Sequence, residues 1–187
     1  MKASFTGASK GLPKADMSPI LIPLLFALTF PACLVWAALS DLKSMTIPNT
    51  LSITLAIAFL PAALLLGLSP MIILQHLGIG ATGLALGILA FAFRVMGGGD
   101  AKLIAATALW FHPQGAMAFL LYTALAGGAL SLVLLMGRQF LQIYTPTMPK
   151  WLQTLLKPNG DIPYGLAICA GGLLAMPHSD LYPLLGF

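Results

Sequence analysis

The sequence predicts an all-α integral membrane protein of about six transmembrane helices, with a short fourth span that follows a glycine-rich segment. Three observations predict it. Of 187 residues only 14 are charged, nine Lys+Arg and five Asp, and none is glutamate. Ordinary soluble domains carry about 25% charged residues, so a chain at 7% cannot cover a water-facing surface. Mean hydropathy is +0.95. The charges also leave uncharged gaps of 24, 50, 35 and 18 residues, at 17–40, 44–93, 103–137 and 162–179, and a helical span needs about 20 apolar residues.

The gaps place the elements in order. Residues 1–17 form a polar tail without the cleavage pattern of a secretory signal, and residues 18–187 form one polytopic domain. The first gap holds one span, about Ile20–Leu39. The second holds two, Thr50–Leu66 and Met71–Phe93, divided by the turn signal Gly67-Leu68-Ser69-Pro70. In the third, His112-Pro113-Gln114-Gly115 is a turn, followed by a span at about Ala116–Met136. Before that turn only Ala101–Phe111 remains, about 16 Å of helix against a hydrocarbon core of about 30 Å. Either the turn sits deep or Asp100 lies below the membrane surface. Irregular backbone at such depth is tolerated only beside protein or water, and Gly97-Gly98-Gly99 is the candidate for it. Thr145–Pro158 reads as a surface loop, and Ile162–Met176 as a short last span with Asp161 as its N-cap.

Counting spans puts Lys43, Arg94, Lys102, Arg138, Lys150 and Lys157 on one side and Lys2, Lys10 and Lys14 on the other. The larger group is expected in the cytoplasm. Nine scattered cations make no nucleic-acid patch. Cys33 and Cys169 form no CxxC pair and read as small apolar residues. His76, His112 and His178 show no ligand spacing, so no metal is expected; they and Trp36, Trp110 and Trp151 read as interfacial anchors. Gly83-x-x-x-Gly87 and Gly127-Gly128 read as helix-packing positions. Asp16 and Asp180 read as solvated.

An acid retained near lipid is a functional hypothesis, and two stand out. Asp41 follows the first span and Asp100 the third. Two spans lie between, so both emerge on one face. Two neighbouring carboxylates share a proton, giving a general base for water and a general acid for a carbonyl. The glycines before Asp100 would admit a substrate strand. The same aspartates could instead serve a small proton- or cation-coupled transporter, or the chain could be a silent scaffold of a secretion apparatus.

Three blocks carry a resemblance. Asp41-Leu42-Lys43 with Ile47-Pro48-Asn49, Gly97-x-Gly99-Asp100-Ala101-Lys102-Leu103, and Ile162-Pro163-Tyr164-Gly165 resemble, in order, the segments of the prepilin leader peptidase family of membrane aspartic peptidases. The GxGD element alone also resembles presenilin-type proteases. The resemblance implies catalytic Asp41 and Asp100. It also implies motif glycines Gly97 and Gly99, a recurrent lysine at Lys102, and site-shaping Pro48, Asn49, Pro163, Tyr164 and Gly165. It implies no cofactor, a membrane-inserted prepilin or pseudopilin precursor as substrate, and the bacterial inner membrane with the site facing the cytoplasm. The cytoplasmic insert with paired CxxC motifs found in longer members is missing here. The chain therefore resembles the short branch often found with tight-adherence pilus systems, and no methyltransferase activity is expected.

Overall fold

The computed structural model describes residues 18–65, 67–141, 147–158 and 160–180. Among these, every regular element is helical: α1 Ser18–Ser44, α2 Asn49–Leu65, α3 Pro70–Ala92, α4 Gly98–Ala108, α5 Pro113–Phe140, α6 Lys150–Leu155 and α7 Tyr164–Ala175, with a 3-10 turn at Met176–His178. The tail 1–17 and the segment 142–146 lie outside the described residues.

Local chemistry explains where helices begin. Ser69 caps α3 through its hydroxyl, which accepts from the Ile72 N–H at 3.4 Å, and Pro70 occupies the first helical position. His112 does the same for α5: Nδ1 accepts from the Gly115 N–H at 2.9 Å, ahead of Pro113. His112, expected as an interfacial anchor, is thus also the N-cap of this helix. The stretch read as a loop before residue 158 contains α6, which Arg138 holds by donating from Nε to the Leu155 carbonyl at 2.9 Å.

The two short helices form the interior. α4 packs against α2, α3 and α7, while α7 packs against α1, α4 and α5. Small residues permit this. Gly83 and Gly87 of α3 lie over Ala105 and Ala101 of α4, and Gly127 of α5 lies against Tyr164 and Ala167 of α7. Gly128 faces open space instead, so only half of the glycine pair packs. The short helix at the position expected for a fourth span is enclosed by protein: Ala101, Leu103 and Ala105–Ala108 are buried. Trp110 and Phe111 beyond them are fully buried too.

Trp110 is accordingly a core residue, not an anchor. It donates to the Leu55 carbonyl at 3.1 Å and lies among Phe30, Phe59 and Phe111. His76 is also interior, 1% exposed; its ring meets the Leu109 carbonyl at 2.8 Å and the Asp180 carboxylate at 2.9 Å. A burial site for His76 gives Asp180 a partner, which corrects its reading as a merely solvated acid. Trp36 and Trp151 remain exposed.

Among the described residues, two helices, Pro70–Ala92 and Pro113–Phe140, are long and apolar enough to cross a membrane. Their outer faces carry Leu74, Leu86, Met117, Leu125 and Leu132, all at least 60% exposed. A continuous apolar surface of this kind marks a face made for another apolar phase.

Candidate active site

The C-termini of α1 and α3 and the N-termini of α2, α4 and α7 converge at one end of the bundle. They enclose a cavity of about 710 Å³ lined by Asp41, Asp100, Asp161, Arg94, Asn49 and Tyr164, together with Gly97–Gly99, Thr46 and Ile47. That volume lies within the range of small-molecule and peptide-segment sites.

Asp41 stands in the last turn of α1, two residues beyond the Ile20–Leu39 span, and is 6% exposed. One carboxylate oxygen accepts from the Gly165 N–H at 2.7 Å. Gly165 lies in the first turn of α7, whose N-cap Pro163 offers no side-chain cap. Asp41 therefore satisfies an orphan donor of a neighbouring helix, where a negative charge is also favoured by the dipole. The approach demands glycine: a Cβ on residue 165 would sit 2.9 Å from Asp41 Cβ and 3.0 Å from Oδ2.

Asp100 is the third residue of α4, ahead of Ala101, where the short span begins. Its carboxylate accepts from the backbone N–H of Gly97, the N-cap. That contact is half of a capping box. It carries the helix back over Gly98 and Gly99, so these two glycines are helical rather than irregular as expected. Gly97 has ordinary negative φ. What requires glycine there is space, since a Cβ would lie 3.0 Å from Asp100 Oδ2. Gly99 in turn lets α4 approach the α1–α2 link, with its Cβ position 3.4 Å from Ile47 Cβ.

That link is tightly held. Met45 takes positive φ at 53°, and its N–H bonds the Asp41 carbonyl at 2.8 Å, closing α1 as a left-handed cap. Ser40 Oγ donates to the Thr46 carbonyl at 2.9 Å. Pro48 precedes the first turn of α2, and Asn49 Oδ1 accepts from Lys102 Nζ at 3.1 Å. Lys102 thus ties the start of α2 to the start of α4. Pro163 is fully buried, and Tyr164 lines the cavity.

Both carboxyls hold protons more tightly than usual. Burial raises Asp41, opposed by the Gly165 hydrogen bond. Burial and then the charge of Asp41 raise Asp100 to about 6, opposed by the Gly97 hydrogen bond.

Asp161 is not the cap of α7. The residue before a proline is steered out of the helical region, so with Pro163 in place α7 starts only at Tyr164. Asp161 lies on the extended approach to it, exposed at the cavity, with its carbonyl accepting from Arg138 Nη2 at 2.8 Å. Arg94, at φ 58°, is the other charged cavity residue to which sequence reasoning gave no place at the site. Its position follows from the left-handed C-cap of α3, which no glycine announced.

Comparison with curated proteins and with solved structures gives no match. A family model, that of the type IV leader peptidase family, matches residues 28–132, from α1 through most of α5. The match spans both aspartates and the Ile47-Pro48-Asn49 link, and stops before Pro163. A chain matched over more than half its length by that model belongs to the type IV leader peptidase family.

Proposed function

We propose that the chain is a membrane aspartic endopeptidase that removes the short basic leader from a membrane-inserted type IV pilin-like precursor. The carrying observation is that Asp41 and Asp100, 59 residues apart in sequence, line one cavity and are each fixed by a backbone N–H at a helix N-terminus. Their environments divide the labour. Asp41, hydrogen-bonded to the first turn of α7, is the ionised base; Asp100, pushed up to about 6 with the Asp41 charge beside it, is the protonated acid.

In this reading Asp41 takes a proton from water as the oxygen attacks the scissile carbonyl. Asp100 gives its proton to the carbonyl oxygen, and the tetrahedral adduct collapses as the Asp41 proton passes to the leaving amine and a hydroxyl proton of the adduct returns to Asp100, which releases the carboxylic acid and restores the dyad. Lys102, Asn49, Gly97, Gly99, Pro48, Pro163, Tyr164 and Gly165 position the pair. The substrate reaches it from the bilayer of the bacterial inner membrane. Six spans, α1–α5 and α7, would put the cavity on the cytoplasmic face, where Lys43, Arg94, Lys102 and Arg138 lie. The proposal covers peptidase activity alone, without methyl transfer.

Co-expression with a pilin precursor tests it. Wild type is expected to produce a leader-sized mass loss that disappears in Asp41→Asn and in Asp100→Asn. Processing that survives both substitutions would overturn the aspartic mechanism, as would ion-dependent uptake into liposomes with no cleavage.

A further inference from the structure

A second void lies on the opposite side of Asn49 from the dyad cavity. It is a slot of about 510 Å³ between α2 and α3, floored by α4. These two helices are consecutive, yet they pack scarcely on each other: α3 rests chiefly on α4, and α2 on α1 and α4. They meet near their joined ends, where the Phe59 and His76 rings lie 5.2 Å apart, tilted by 32°. The slot opens away from that contact. Its walls carry Ile53, Leu77 and Leu84, all more than 40% exposed, and its floor is Ala105 and Ala106.

One end differs chemically. Lys102 stands there, the one charged residue among those described as lining the slot. One of its three ammonium donors is engaged by Asn49, which leaves two for a ligand. From Lys102 to Leu109 the slot runs seven residues of α4, about 10 Å at helical rise. That is roughly two thirds of one leaflet's hydrocarbon depth.

We propose that this slot is a binding site for an anionic phospholipid of the surrounding bilayer, its acyl chain between α2 and α3 and its phosphate on Lys102. The inference rests on the membrane reading above. Charge complementarity selects the headgroup. The apolar walls beyond Lys102, built of Ile53, Leu77, Leu84, Ala105 and Ala106, select a hydrocarbon chain for the rest of the ligand.

The test uses the purified full chain in phosphatidylcholine vesicles, with a trace of phosphatidylglycerol or phosphatidylcholine bearing a diazirine on the acyl chain. Cross-links are mapped by peptide mass spectrometry. The phosphatidylglycerol probe is expected to label the peptides containing Ile53, Leu77 and Leu84 about fivefold more than the phosphatidylcholine probe, the size of one lysine–headgroup attraction. Lys102→Gln should erase that preference. Ala81→Leu, which fills an exposed wall position, should lower labelling by both probes and keeps the proposal testable if Lys102→Gln does not fold. Equal labelling by the two probes, or labelling spread evenly over the outer faces of α1 and α5, overturns the proposal. So does loss of labelling on adding inorganic phosphate, which would mark a free-anion site, or displacement by a precursor's apolar helix. Labelling needs no catalysis, so its failure leaves the peptidase reading standing, and loss of that reading leaves the labelling result intact.

Discussion

Gly165 explains at the residue scale why an aspartate at the end of one helix and a glycine at the start of another belong together. Its N–H holds Asp41, and its missing side chain makes room for the carboxylate. Gly165→Ala is expected to leave the fold in place but push Asp41 aside, lowering kcat/KM by about tenfold to a hundredfold, the cost of a displacement approaching 1 Å at a catalytic group. Asp41→Asn and Asp100→Asn should each cost about 10²–10⁴-fold, the usual worth of a general acid or base. Asp161→Asn should act differently. Its exposed carboxylate faces the cavity without reaching the dyad's hydrogen bonds, so a precursor with a basic leader should show raised KM and little change in kcat, measured on purified precursor.

The pH dependence follows from Asp100. Its pKa rises from 3.8 to about 6, so the proton required for acid catalysis is lost as pH rises through about 6. Above that value kcat/KM should fall tenfold per pH unit, whereas a flat profile would count against the pair. The stability sign is the same. Between 3.8 and about 6 the folded state binds more protons than the unfolded one, so stability falls with rising pH and the penalty is complete above about 6.

At the scale of elements, the interior helices depend on contacts with little tolerance. His76 links α3 to the end of α4 through the Leu109 carbonyl and to the C-terminal turn through Asp180. His76→Leu would leave that carbonyl and carboxylate without their partner, at a cost of about 1–3 kcal/mol. A lowered thermal midpoint, with the dyad cavity distant from the change, is the expected reading. The α3–α4 interface is similarly close: the Cβ position of Gly87 lies 3.0 Å from Ala101 Cβ. The periodic glycines of α3 were legible as packing positions, whereas the partner face was not, because nothing in a short alanine-rich α4 says which neighbour it will touch.

For the whole molecule, six spans require the dyad end and the opposite end to lie on different sides of the membrane. Lys157 and Gln114 are exposed residues near those two ends. Lys157→Cys should react with an impermeant maleimide only in inverted vesicles, and Gln114→Cys only in intact cells with a permeabilised outer envelope. The native thiols Cys33 and Cys169 are buried and give little background. Reaction of both from one side would overturn the six-span topology.

Scarcity of charge determined the helical class, the approximate extents of the helices and which two aspartates were candidates for a pair, because hydropathy and the spacing of charges are properties of the chain read in one dimension. The tertiary structure decided what holds the pair. Asp41 meets a backbone N–H 124 residues away, and Lys102 meets an asparagine 53 residues away. It also decided that Trp110 and His76 are interior and that Asp161 faces the cavity instead of capping a helix. Each of those outcomes depends on which helices enclose α4 and α7, and side-chain periodicity along one helix carries no information about the identity of its neighbours.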